Sequence, residues 1–235
     1  MFRLLSYNIY FGKKLDIILD WLAEIERKKN TFDIMCFQEF PYEKIDTCMR
    51  SRKSTSNYRF APSIYLGGKI YGQLTIFNQN KLKIINDTEL LLGASRIEKS
   101  MSYLLKRSTK RKSLLTLFET NTHKKLMVAN THLSIGLNKL RINQLKKIFI
   151  QVQTIPNTLI VGDLNYTSAL PRFSLKRLIK KYQFEDATRN LKTHRILFLR
   201  HQLDYIFTKS VSVTRVRAEQ LPFSDHYPLI AQFEI

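Results

Sequence analysis

Cysteine is scarce in this chain. Cys36 and Cys48 are the only two, so no disulfide framework and no paired Cys/His metal spacing can be built. Cys36 lies inside the apolar run "DIMCF", where a free thiol behaves as a small buried hydrophobe. Seven glycines and six prolines in 235 residues leave no long polar or low-complexity tract, and no linker or internal repeat of fixed period. No apolar run approaches the roughly 20 residues that a membrane-spanning helix needs. The opening "MFRLLSYNI" has too short an apolar part for a signal peptide. These absences predict one soluble domain over residues 1–235, monomeric and made in a reducing compartment. A cytoplasmic location follows, with signal-independent export as the exception.

Acidic residues are scarce too. Thirty-nine Lys and Arg face nineteen Asp and Glu, a formal net charge of +20. An excess of one sign destabilises the compact state by self-repulsion, which favours a polyanionic partner. Nucleic acid is the first candidate and an anionic membrane surface the second. A generically Lys-rich surface is the bland alternative. The segment "KRSTKRK" places Lys106, Arg107, Lys110, Arg111 and Lys112 together, five cations in seven residues. These are candidate substrate contacts. A second basic zone runs from Arg172 to Lys181.

What the chain does have is a series of short apolar runs. "RLLSYNI", "FDIMCFQEF" and "TLIVGDLN" read as buried strands. "YGQLTIF" with "KLKIIND" and "SLLTLFET" with "KLMVANTHL" read as strand pairs joined by turns at Asn78–Asn80 and Asn121–Lys124. Helical spacing covers Leu15–Ile25, Leu137–Val152 and "SLKRLIKKY". "QLDYIFTK", "VSVTRVRAEQL" and "SDHYPLIAQFEI" close the chain as strands. Tight turns between strands require antiparallel pairing. The expectation is a mixed, two-sheet α/β sandwich rather than a doubly wound parallel sheet.

Polar groups suited to metal or phosphate chemistry recur where these strands end: Asn8, Glu39, His132, Asp163 with Asn165, Asp204, and Asp225 with His226. Each has an ordinary explanation. Asn8 caps a turn, Asp204 meets a nearby arginine, and His132 is a satisfied core histidine. Asp163 and Asn165 are common turn formers. Six coincidences at the same structural place are harder to accept than one.

In that order, "SYNI", "QE", "NTHLS", "GDLN", "LDYIF" and "SDHYPL" resemble the endonuclease/exonuclease/phosphatase superfamily. That is the fold of deoxyribonuclease I, exonuclease III-type AP endonucleases, inositol polyphosphate 5-phosphatases, neutral sphingomyelinases and deadenylases. The resemblance implies a four-layer α/β sandwich, two mixed and mostly antiparallel sheets flanked by helices. It implies Mg²⁺, or Mn²⁺ in its place, held by Glu39 with Asn8 and Asp225 close by. Asp163 would orient or deprotonate the attacking water, and Asn165 would help hold it. His226 would face the scissile phosphate with Asp204 behind it, and His132 would donate to another phosphate oxygen. Departures are visible as well. His132 stands where the AP endonucleases usually have tyrosine, "NIYFGKK" replaces their "NGLR"-like segment, and "YGQLTIF" offers no carboxylate partner for His132. Arg141 and Gln144 match an Arg-x-x-Gln pattern read as structural. The implied activity is metal-dependent phosphoester hydrolysis, with a DNA or RNA phosphodiesterase first. A membrane-lipid phosphatase or sphingomyelinase-like phosphodiesterase is the alternative, and a catalytically inactive binding module the third reading.

Overall fold

Several runs in this chain are apolar at consecutive positions, so their strands must be covered on both faces. The computed structural model describes residues 1–28, 30–52, 54–96, 98–100, 107–166, 172–196 and 199–235. Strands β1 (Phe2–Asn8), β2 (Ile34–Pro41), β3 (Ser56–Leu66), β4 (Lys69–Asn78), β6 (Arg107–Thr109), β14 (Ser212–Ala218) and β15 (Leu229–Glu234) form a seven-stranded sheet, in the order β14-β15-β1-β2-β4-β3-β6. Strands β5 (Leu82–Leu91), β7 (Lys112–Thr120), β8 (Lys125–His132), β9 (Thr158–Asp163), β10 (Glu185–Asp186) and β13 (Asp204–Lys209) form a six-stranded sheet, in the order β10-β13-β9-β8-β7-β5. A small ribbon joins β11 (His194–Ile196) to β12 (Leu199–His201). Pairing is antiparallel except between β1 and β2 and between β8 and β9.

Three apolar layers fill this frame. Leu4, Ile34, Cys36, Val128, Leu159, Val161, Ile206 and Phe233 pack between the two sheets. The alternate residues Leu5, Met35 and Phe37 point outward. They meet the buried stripe Leu15, Ile18, Leu19 and Leu22 of helix α1 (Leu15–Arg27), next to the short helix α2 (Ile45–Arg50). On the far side Met127, Ala129, Ile160 and Phe207 meet Leu145, Ile148, Phe149 and Val152 of α3 (Asn138–Val152). Leu175, Leu178 and Ile179 of α4 (Arg172–Lys181) join them. The result is the expected four-layer α/β sandwich with helices outside. Among the described residues, no helix is long and apolar enough to cross a membrane.

One expected pairing is wrong. β4 and β5 do not pair across Asn78–Asn80; β4 lies between β2 and β3, and β5 pairs with β7 in the other sheet. β4 is buried almost throughout and needs a neighbour on each side, whereas β5 is mostly exposed and takes an edge. The turn, held by Asn78 N–H donating to Asp33 O, carries the chain from one sheet to the other. The "SIYLGGKIYG" segment is the β3–β4 hairpin, turning through Gly67 and Gly68 at positive φ. β7 and β8 pair as expected.

Gly162 is a backbone position that the fold constrains tightly. It pairs with Thr131 across the parallel β8–β9 seam at φ +130°, and a Cβ there would stand 2.0 Å from the Thr131 carbonyl oxygen. Backbone oxygen cannot yield as a flexible side chain does. Gly162→Ala is therefore expected to cost about 2 kcal/mol or more, read as a lower urea midpoint with unchanged slope. A variant as stable as the parent would contradict this packing.

Candidate active site

The two parallel pairs bring the C-terminal ends of β1, β2, β8 and β9 to one pole, and the antiparallel β13 and β15 start from it. Along each strand the inward-facing residues change from apolar to polar on approach: Leu4, Ser6, Asn8 on β1; Val128, Asn130, His132 on β8; Leu159, Val161, Asp163 on β9. Because side chains alternate with a period of two, the last inward positions are the site residues. Glu39 has the wrong parity for this and enters through an irregularity in the β2–β4 pairing, at φ +58°. Bulges re-aim side chains in this way.

Beneath the site, polar groups bond one sheet to the other. Gln38 Nε2 donates to Asn130 Oδ1 at 2.8 Å, and Asn130 Nδ2 donates to the carbonyls of Leu74 (3.0 Å) and Phe37 (3.2 Å). These pairings make the burial of amides tolerable.

At the pole, Asp163 is the hub. Asn8 Nδ2 donates to its Oδ2 at 3.0 Å, and the Asn165 backbone N–H donates to its Oδ1 at 2.7 Å. His132 Nε2 and His226 Nε2 lie 3.4 and 3.7 Å from Oδ2. Asp204 Oδ2 sits 2.8 Å from His226 Nδ1, so Nε2 is the nitrogen left facing Asp163. His132 Nδ1 lies 3.9 Å from Glu39 Oε1, which supplies the carboxylate neighbour that the sequence did not reveal. Ser224 Oγ donates to the Asn8 carbonyl at 2.9 Å and lies 3.1 Å from Asp225 Oδ1. Asn165 is held at φ +49° by its Nδ2 donating to the Leu133 carbonyl.

The electrostatics follow from this crowding. Burial pushes the Glu39 carboxyl up to about 7; Arg111 pulls it down, and Asp163 adds to the rise. Asp163 is raised by burial and by Asp204, against the pull of His226. Burial works against a charged His226, but Asp204, Asp163 and Asp225 outweigh it and raise its pKa to about 10. The flanking carboxylates thus favour the charged form of His226.

One neighbour of the site was not foreseen. His194, buried on β11, bridges to His226 through the backbone, packs edge-on against its ring at 4.5 Å, and places Nε2 3.7 Å from Asp225 Oδ2. It lies on a strand of three residues in a stretch with no apolar periodicity, so no local pattern marks it. Among the described residues, two groups of donors have their ligand atoms within 4.8 Å of one another: His194, Asp225 and His226, and Asp163, Asp204 and His226.

The sequence profile of the Endonuclease/Exonuclease/phosphatase family matches residues 5–226. The chain belongs to this family. The endonuclease/exonuclease/phosphatase from Bacteroides vulgatus superposes with a TM-score of 0.78 at 16% identity, covering 100% of this chain and 98% of that one. The mannosyl-6-phosphatase from Bacteroides thetaiotaomicron VPI-5482 gives 0.74 at 15%, covering all of both chains. D. rerio TDP2 complexed with single strand DNA product gives 0.72 at 14%, covering 100% and 99%. At these identities the likeness establishes the fold. No curated protein matches the sequence significantly. Endonuclease/exonuclease/phosphatase proteins are phosphoester hydrolases that generally depend on a divalent metal, and the donor groups at the pole suit that chemistry.

Within the basic segment, the placing of Arg111 among the substrate contacts needs correction. Lys106 and the side chain of Arg107 lie outside the described residues, and residues 107–109 form β6 against β3. Arg111 is fully buried, with Nε 2.7 Å and Nη2 2.6 Å from Glu98 Oε1. Glu98 and Ser95 in turn cap each other's backbone N–H groups. Lys112 bonds Glu89, and Lys110 is exposed. A cation buried against a carboxylate cannot reach a phosphate outside. Arg141 and Gln144 face inward from α3. Gln144 accepts from Ser134 N–H at 3.0 Å and donates to the Gly93 carbonyl at 2.7 Å, which is structural work.

Arg111→Ser, which leaves Glu98 buried without its cation, is expected to cost about 3–5 kcal/mol. Lys110→Ser should stay within about 0.5 kcal/mol of the parent. Equal urea midpoints for the two variants would contradict the buried pair.

Proposed function

We propose that this chain is a Mg²⁺-dependent phosphodiesterase acting on nucleic acid, with Asp163 as the group that prepares the attacking water. The observation that carries this reading is the Asp163 carboxylate, which sits within 3.0–3.7 Å of an amide and two imidazoles that converge on one oxygen. The donor set suits a hard divalent cation. Glu39, Asp163, Asp204 and Asp225 crowd one pole, and burial together with mutual repulsion pushes Glu39 and Asp163 upward. Oxygen donors and clustered negative charge favour such an ion. Glu39, Asn8 and Asp225 would hold it, and it would neutralise charge developing on the phosphoryl oxygens.

The chain's own groups do the rest. Asp163, oriented by Asn8 and by the Asn165 backbone N–H, accepts the proton of water as it attacks phosphorus; the P–O bond to the leaving alkoxide breaks, and the alkoxide departs as an alcohol with a proton from solvent. His226 stays protonated through its contact with Asp204 and donates from Nε2 to a phosphoryl oxygen. His132 donates to a second such oxygen. Asn165 helps hold the water. Preplaced donors aimed at developing charge are the largest single source of such rate enhancement.

Nucleic acid is favoured by the +20 charge, since phosphate neutralisation drives that affinity. A lipid phosphodiesterase is the second reading. Ile135 and Leu137, which follow His132 closely, are 49% and 77% exposed, as a membrane-facing rim would require.

Purified protein with Mg²⁺ should cleave DNA or RNA in preference to phosphoinositides and sphingomyelin, and a chelator should stop it. Glu39→Gln, Asp163→Asn and His226→Ala should each lower the rate by about 10²–10⁴, with circular dichroism unchanged. Full turnover in saturating chelator would remove the metal from the scheme. A normal rate in any one variant would remove that residue, and preference for lipid would reverse the substrate assignment.

A further inference from the structure

A groove of about 670 Å³ opens beside β3. Tyr42, Tyr58, Phe60 and Tyr65 line it together with Asn57, Arg59, Pro62 and Ile70. Tyr42 is 56% exposed and stands over Phe60 at 5.4 Å between ring centroids. Arg59 bonds Asp87 yet leaves 37% of its side chain exposed, and among the described residues no carboxylate lines the groove. Ser56–Pro62 of β3 has β4 on one side and, among the described residues, no strand on the other, because β6 covers only Ile64–Leu66.

A short chain path links the groove to the catalytic pole. Tyr42 follows Glu39 by three residues, at most about 11 Å of chain. Between them Pro41 pairs with Tyr71, and Tyr71 receives Phe11 edge-on at 5.0 Å. Phe11 and Tyr10 follow Asn8 directly after Ile9, and both are held at left-handed φ, +55° and +50°. Non-glycine residues rarely adopt that conformation, and clusters of it mark sites where side-chain placement matters. The Lys13 ammonium lies 3.6 Å over the Tyr10 ring. Aromatic rings thus run from Tyr10 beside Asn8, through Phe11 and the buried Tyr71, toward Tyr42, with Lys13 at one end and Arg59 at the other.

We propose that this groove takes the unpaired bases of a single-stranded nucleic acid whose backbone crosses the catalytic pole, so that single strands are preferred to duplex. The proposal rests on the nucleic-acid reading above and names its substrate form. A base inside a duplex has both faces covered by its neighbours, so ring-on-ring contact demands an unstacked base. Flat walls with tyrosine hydroxyls, an amide and a guanidinium suit a nucleobase, which is apolar on its faces and polar at its edges. An acyl chain would call for mainly aliphatic walls, and here Pro62 and Ile70 are outnumbered by four aromatic rings. The net charge of +20 complements the backbone of the strand.

The test uses the full chain carrying Asp163→Asn, so that bound strands are not cleaved, and compares oligothymidine, duplex DNA and vesicles of phosphatidylserine and phosphatidylcholine. Oligothymidine should bind more tightly than duplex of equal length. Tyr42→Ala should weaken oligothymidine binding about ten-fold, and Tyr42→Trp should restore it. With Asp163 intact, Tyr42→Ala should leave hydrolysis of bis(p-nitrophenyl) phosphate, too short to enter the groove, within two-fold of the parent. Oligonucleotide carrying 5-iodouracil should photo-crosslink to Tyr42, Tyr58 or Tyr65. Unchanged oligothymidine affinity in Tyr42→Ala, while the parent still cleaves nucleic acid, would overturn the groove and leave the nuclease reading standing. Failure of the parent to cleave any nucleic acid would overturn both. Loss of vesicle binding with oligothymidine binding intact would make the groove a membrane contact and overturn the proposal.

Discussion

The carboxylate of Asp163 is buried where the two sheets meet, and the surrounding pole is arranged so that this burial can be tolerated. An ionised carboxylate removed from water costs several kcal/mol unless donors and opposite charge compensate it. Here the compensation comes from separate parts of the chain: Asn8 from the seven-stranded sheet, His132 from β8, His226 from the turn before β15, and the Asn165 backbone N–H from the adjacent loop. Asp204, the next strand's first residue, is a like charge beside it, and His226 lies between the two. Displacing any one of these strands would leave a charge without its partner, so the requirement ties the two sheets together at this end.

The same requirement explains the inter-sheet layer as a whole. Its apolar part, centred on Cys36, Val128 and Val161, holds the sheets together away from the pole. Closer to it, the Gln38–Asn130 pairing links them by hydrogen bonds that still allow polar groups above. The polar end begins where the inward positions pass from Ser6 to Asn8 and from Asn130 to His132. Gly162 lets β8 and β9 approach closely enough for His132 and Asp163 to share this space. Cohesion and chemistry are thus segregated along one layer.

Much of this was legible in the sequence because strands with buried faces leave strong local patterns. Asn8, His132, Asp163 and Asp204 each sit at an end of an apolar run, and a period of two fixes which face they share. Glu39 was legible as a strand-end carboxylate, but the irregularity that turns it inward was not, since it is a property of the β2–β4 pairing. The assignment of β4 and β5 to one hairpin failed because a turn signal does not say whether the chain continues in the same sheet. Arg111 looked like part of a surface cluster, although its partner Glu98 is only thirteen residues away; burial of a single cation within a basic run has no local signature. His194 and the groove beside β3 depend on contacts between distant segments. β3 itself was hidden by Arg59 and Pro62, which an edge strand with a bulge accommodates.

The central claim is that a water prepared by Asp163 attacks phosphorus directly while His226, held by Asp204, meets the developing charge. Stereochemistry at phosphorus tests it most directly, by hydrolysing a phosphorothioate oligonucleotide of one configuration in ¹⁸O-labelled water with Mg²⁺. The account predicts one ¹⁸O on the product phosphorothioate and inversion at phosphorus, the signature of a single displacement. Retention would require a covalent intermediate on the enzyme, and label in the released alcohol would mean that the C–O bond is the one broken; either result would contradict the role given to Asp163.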